Sequence, residues 1–222
     1  MTTLNELFQA GGKPAHTLIT SGTGTFVPSV DNALCKFKIQ AGGAGGYTSL
    51  YAGGAGAMVE VWRRVPIAGV GYVVGGGGAV STNGSKSSVG SVVAQPGGYG
   101  GTTQPGPGGA LGVLSGGVDA DGASLPIGGL SGVAGGGGGG SSVSGQIPGF
   151  PAPQWSGAGS ASLPNGVEAY PANGQGNGSG GSSLYGLGGT NGNAPASDAY
   201  GAGGCINAAG RGGCIEIEDF GA

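Results

Sequence analysis

The chain has 222 residues, of which 60 are glycine, and a formal net charge of −3. Charged residues make up 8% of it, against about 25% in ordinary globular proteins. That composition excludes a nucleic-acid-binding protein with a basic stripe, because Arg63-Arg64 is the only adjacent basic pair. It also excludes collagen, since glycine keeps no strict third-residue period through Ser81-Thr82-Asn83 or Val92-Val93-Ala94-Gln95. A glycine tract buries no side chain and loses the most backbone entropy on ordering. It is therefore either disordered or held by backbone hydrogen bonds. Modest charge, 37% apolar residues and interspersed Leu, Tyr and Trp favour order.

In chain order, residues 1–16 form a first segment. Leu4, Leu7 and Phe8 fall at i, i+3 and i+4, which predicts a short helix with one apolar face. It is too short to stand alone and reads as a docking peptide. The start has no basic region followed by an apolar one, which predicts synthesis and folding in a cytosol. No run of about 20 apolar residues is long enough to insert in a membrane.

Residues 17–96 carry the strand signals. Residues 17–19 and 25–27 are β-favouring, and 34–40 alternates, with Cys35, Phe37 and Ile39 on one face and Lys36 and Lys38 on the other. Residues 57–63 alternate less cleanly, 70–74 is short, and 89–94 is a further candidate. The glycine-rich body spans 97–204 and contains no Lys or Arg. Residues 205–222 close the chain. There Ile215 and Ile217 alternate with Glu216 and Glu218, an acidic strand to match the basic one. Opposite charges across paired strands are favourable. Lys36 and Lys38 are thus expected to face Glu216 and Glu218, enclosing the glycine body as one long excursion. The expected fold is mainly β: a small antiparallel sheet or sandwich closing a body of polyglycine-II-like strands and loops, with almost no helix.

Candidate chemistry is sparse. His16 is the one histidine, and no Cys or carboxylate stands at ligand spacing from it, so a strand-edge histidine is the simpler reading. Asp119-Ala120-Asp121-Gly122 has the look of a calcium-loop fragment but lacks the later acidic ligand, and a turn is expected. No glycine run is followed by the Lys and Ser/Thr of a phosphate loop. Cys35, Cys205 and Cys214 form no even disulfide framework and are expected as buried thiols. No enzyme, metal or cofactor is expected. The remaining candidates are aromatic: Tyr99, Phe150, Trp155, Tyr170, Tyr185 and Tyr200. Each is a contact point for a sugar ring or a protein, or a staple in a thin core. The best loop is Ile147 to Trp155, stiffened by three prolines.

Five segments in order resemble the glycine-rich domain of bacteriophage tail proteins. Thr23-Gly24-Thr25-Phe26-Val27-Pro28 precedes an alternating strand and Ala41-Gly42-Gly43-Ala44-Gly45-Gly46-Tyr47. Gly53-Gly54-Ala55-Gly56-Ala57-Met58-Val59-Glu60-Val61 follows, then Gly71-Tyr72-Val73-Val74-Gly75-Gly76-Gly77-Gly78, then Lys86-Ser87-Ser88-Val89-Gly90-Ser91. The last runs from Gly203-Gly204 to Arg211-Gly212-Gly213-Cys214-Ile215-Glu216-Ile217. The resemblance implies a tail-fibre tip or tail-tip protein, adhesin-like, resident in the virion tail after synthesis in the host cytoplasm. It implies other tail proteins as partners, through Leu4, Leu7 and Phe8. It also implies a bacterial surface receptor, protein or glycan, touched by the aromatics. A homo-oligomer is expected, with a trimer suiting a fibre. A purely structural tail or baseplate subunit, and a non-viral glycine-rich structural protein, are the alternatives.

Overall fold

The computed structural model describes residues 13–48, 51–99, 106, 180–189 and 193–221, and the backbone of 130–134. The expected N-terminal helix with Leu4, Leu7 and Phe8, the Asp119–Gly122 turn, and Phe150, Trp155 and Tyr170 lie outside the described residues. Among the described residues there is no helix, and two antiparallel sheets carry the regular structure.

The strands are β1 (Ala15–Ile19), β2 (Gly22–Phe26), β3 (Ala33–Gln40), β4 (Met58–Val65), β5 (Val70–Val74), β6 (Ser87–Val89), β7 (Val92–Ala94), β8 (Leu130–Ala134) and β9 (Cys214–Asp219). The first sheet has the order β1-β9-β3-β4-β8 and the second β2-β5-β6-β7. The charge match drawn from the sequence sets a real register: Lys36 lies opposite Glu218 and Lys38 opposite Glu216. Lys38 reaches Glu216 at 3.3 Å, whereas Lys36 turns to the other neighbour and pairs with Glu60 at 3.3 Å.

Strand β4 runs two residues past the expected end and alternates poorly because both its faces are covered. Val59, Val61, Arg63 and Val65 are buried on one face, and Met58 and Glu60 on the other. A strand covered on both faces has no solvent side to mark with polar residues. The single strand expected over 89–94 is a hairpin instead. Gly90, at φ 56°, turns the chain so that Val89 faces Val92.

The buried side chains of the two sheets form one apolar cluster, including Phe37, Ile39, Val61, Ile215 and Ile217 of the first and Val70, Val74, Val89 and Val92 of the second. Phe26 meets Phe37 edge-to-face, with centroids 5.8 Å apart.

All strands share two ends. At one end lie Ala15, Asp219, Ala33 and Val65, paired or adjacent in register. At the other end, β3 runs on into residues 41–47, β5 into 75–80 and β7 into 95–98, while 51–57, 82–86 and 208–213 lead into β4, β6 and β9. The glycine segments seen here thus come from both sides of the divisions drawn at 97 and 204.

Candidate functional site

Residues 41–47 lie at the centre of these segments, and their hydrogen bonds turn with a repeat of three. The N–H groups of Ala41, Ala44 and Tyr47 donate to the carbonyls of Ala57, Gly54 and Tyr51. Those of Gly42 and Gly45 donate to Ser85 and Thr82, and those of Gly43 and Gly46 to Arg211 and Ala208. Each partner number falls by three as the donor number rises by three, so these three neighbours run antiparallel. The carbonyls behave alike: Gly43 and Gly46 accept from Gly78 and Ser81, Ala44 and Tyr47 from Gly204 and Asn207, and Gly42 from Gly97. The donor–acceptor distances are 2.7–3.0 Å. One segment is therefore bonded to its surroundings in every direction without using a side chain. A β-strand, with its repeat of two, bonds only to left and right.

Glycine is required here for room and not for an unusual backbone. Gly43 and Gly46 are absent from the residues with positive φ. A Cβ on Gly43 would run into the carbonyl of Ala202, and one on Gly46 into that of Cys205. Where the third residue of the repeat faces a gap, alanine fills it: Ala41 and Ala44 are both fully buried. Buried polar side chains mark the junction with the sheets. Gln40 Nε2 donates to the carbonyl of Gly56 at 2.9 Å, while Ser87 Oγ donates to the carbonyl of Gln40 at 2.7 Å and accepts from the Gly75 N–H at 2.9 Å. These bonds close the backbone where ladder geometry gives way to the threefold pattern.

Three of the six candidate aromatics are described. Tyr99 is 41% exposed and lies on the flank of the segments, its N–H donating to Asn83 Oδ1 at 2.9 Å. Tyr185 and Tyr200 are half-buried, with ring centroids 5.8 Å apart at 78°. The Tyr185 hydroxyl donates to Glu216 at 3.2 Å, and Ser183 Oγ donates to the Tyr200 carbonyl at 2.6 Å. These two tyrosines thus tie residues 183–189 and 193–200 to the outer face of β9, and Tyr99 is the freer of the three.

Glu216 is the hub of that outer face. It accepts from His16 at 2.8 Å, from Lys38 and from Tyr185. Its partial burial works against the charge, but the His16, Lys38 and Tyr185 contacts outweigh it and hold the carboxyl below its ordinary range. Burial, then the neighbouring Cys214 and Glu216, pushes the Tyr185 phenol up. On the inner face, Asp219 is also held low, against burial, by the backbone N–H groups of Ser29 at 2.7 Å and Gly221 at 2.9 Å. Burial pushes the Cys214 thiol up to about 12, and burial together with Asp219 does the same to Cys35. A thiol so held is protonated at neutral pH and a poor nucleophile. Among the described residues no group of three His, Cys, Asp or Glu is placed to hold a metal ion, and no helix is long and apolar enough to cross a membrane.

Several exposed contact residues carry no sequence signal. Val27 (55%), Ile67 (53%) and Val30 lie at the sheet end opposite the glycine segments, where the Ile67 N–H donates to Asp31 at 2.8 Å. Phe220, at 38%, stacks on the half-buried Trp62 with centroids 5.2 Å apart. Leu187 is exposed beside Tyr185. The exposed residues among these lie outside the strands, where no periodicity in the sequence marks exposure. Compared with protein-family models and with curated protein sequences, the chain matches none.

Proposed function

We propose that this chain is a bacteriophage tail protein, a fibre-tip or tail-tip component that contacts the host cell surface. In this reading the two sheets make a sandwich, and its strands run on into a bundle of polyglycine-II-like segments. The observation that carries it is the threefold rotation of hydrogen bonds around residues 41–47. Three residues per turn is the repeat of that helix type. A bundle held by backbone alone leaves its outward turns free to vary in sequence without loosening the structure. That property suits a surface that must change with its receptor.

The polarity of the molecule also supports the reading. Strand ends near Ala15 and Asp219 gather at one end, and the glycine turns at the other. Residues 1–16 would dock to other tail proteins through Leu4, Leu7 and Phe8, the far end would face the receptor, and three copies would make the tip. No enzymatic step is part of this role. Tyr99, Phe150, Trp155 and Tyr170 are the receptor-contact candidates. The pairing of Tyr185 with Tyr200 favours, for those two residues, the second reading of a structural tail or baseplate subunit with packed aromatics.

The test is binding of labelled protein to intact cells of candidate host bacteria, with Trp155→Ala, Phe150→Ala and Tyr99→Ala variants alongside. Saturable binding that the variants lose supports the adhesin. Folded, assembled protein that binds no candidate host moves the assignment to a structural subunit.

A further inference from the structure

Residues 185–189 and 194–199 face each other across a groove of about 310 Å³. The half-buried Tyr185, Leu187, which is 39% exposed, and the exposed Asp198 all belong to its lining. Both walls are fixed from behind. The Gly189 N–H donates to the Gly203 carbonyl at 3.0 Å and the Gly188 N–H to Ser182 Oγ at 3.3 Å. Opposite them, Arg211 Nε donates to the carbonyls of Pro195 at 2.8 Å and Ala196 at 3.1 Å. Among the described residues the Asp198 side chain makes no hydrogen bond or ion pair. A preformed groove with an unengaged carboxylate needs no reordering to take a ligand.

We propose that this groove binds one neutral sugar residue of a cell-surface glycan. The inference rests on the surface-contact role above and names its ligand class. The groove is at the small end of ligand pockets, about 300 Å³, and fits a single ring better than a peptide segment. A sugar ring has one face of C–H groups and a rim of hydroxyls. Leu187 offers the apolar contact, and Asp198 can accept from two neighbouring hydroxyls through charge-assisted bonds. The glycine and alanine walls let the ring come close to the backbone. An acidic sugar would set its own charge against Asp198.

The experiment is saturation-transfer NMR and titration of the full chain with methyl glycosides of glucose, galactose, mannose and N-acetylglucosamine, with sialic acid as the charged comparison. The expected result is saturable transfer to at least one neutral glycoside and none to sialic acid. Asp198→Asn should weaken binding about tenfold or more, as the loss of a charged hydrogen bond implies. Leu187→Ala should weaken it independently, and both variants should keep the native unfolding temperature. Absence of binding to every neutral glycoside, or full-strength binding in both variants, would overturn the proposal. The same variants on host cells separate the two ideas. Cell binding that Asp198→Asn leaves intact overturns the groove and spares the surface-contact role. Glycoside binding without any cell binding does the reverse.

Discussion

The sheets and the glycine segments are built from the same chain by opposite rules. Around Phe37, Ile39, Val61 and Ile217, side chains from the two sheets gather into one apolar cluster. Around residues 41–46 the space is already filled by neighbouring backbone: a Cβ on Gly42, Gly43, Gly45 or Gly46 would meet a carbonyl, and only the methyl groups of Ala41 and Ala44 are accommodated. The first region is weakened by removing atoms and the second by adding them. Hydrophobic burial dominates one, while the other depends on a dense array of backbone hydrogen bonds, each contributing about 1 kcal/mol net. The second can therefore be ordered, in the described segments, with few charged or large apolar residues.

The largest effect is expected where an atom is added at the centre. Gly43→Val should destabilise by about 4 kcal/mol or more, because its Cβ meets the Ala202 carbonyl and the backbone cannot yield. Denaturant unfolding, or failure to recover soluble protein, reads it. A tolerated valine would mean the segments are loosely packed and the contrast is false. The mirror experiment in the sheets is Phe37→Ala, expected to cost about 3–5 kcal/mol through the cavity it leaves. The corresponding deletion in the glycine region, Ala44→Gly, should cost only about 1 kcal/mol, mostly backbone entropy.

Acid sharpens the contrast next, because the ionic contacts described here lie mainly on the first sheet. Glu216 has a lowered native pKa, so its contribution is complete above its ordinary value of 4.5 and is lost as pH falls through the native value. Glu216→Gln should cost about 1–2 kcal/mol at neutral pH. It should also flatten the fall in stability below pH 4.5, and unfolding curves from pH 7 to 3 check both. An unchanged acid slope would place the titration elsewhere, with Asp219 the next candidate.

Thiol labelling asks whether the two regions open together. Cys35 lies in β3 and Cys205 among the glycine segments, both fully buried. If the shared strands make one cooperative unit, alkylation at the two sites should slow alike under native conditions. Faster labelling of Cys205 would show that the glycine segments open on their own. The smallest effect is Tyr99→Ala, within about 0.5 kcal/mol, since the exposed ring lies on the flank.

What could be read in advance depended on side-chain identity. Strand β5 falls on the expected residues 70–74, and the Lys36–Lys38 to Glu216–Glu218 register follows from charge. The hairpin of β6 and β7 was hidden because its strands are three residues each, too short to show alternation, so that the Gly90-Ser91 turn pair reads as part of one run. The Tyr185–Tyr200 pair and the groove beside Leu187 and Asp198 were equally invisible, since their walls come together only through bonds to 203 and 211.

By itself the sequence determined the mainly β character, the alternating faces of β3 and β9, and the pairing that brings residue 36 to residue 218. Those features are written in side chains whose polarity and charge differ from one position to the next. Only the tertiary structure decided which glycine segment bonds to which, and so the threefold packing about residues 41–47. Backbone N–H and C=O groups are the same in every residue except proline, so a bond made solely between them leaves no mark in the sequence beyond the glycine that makes room for it.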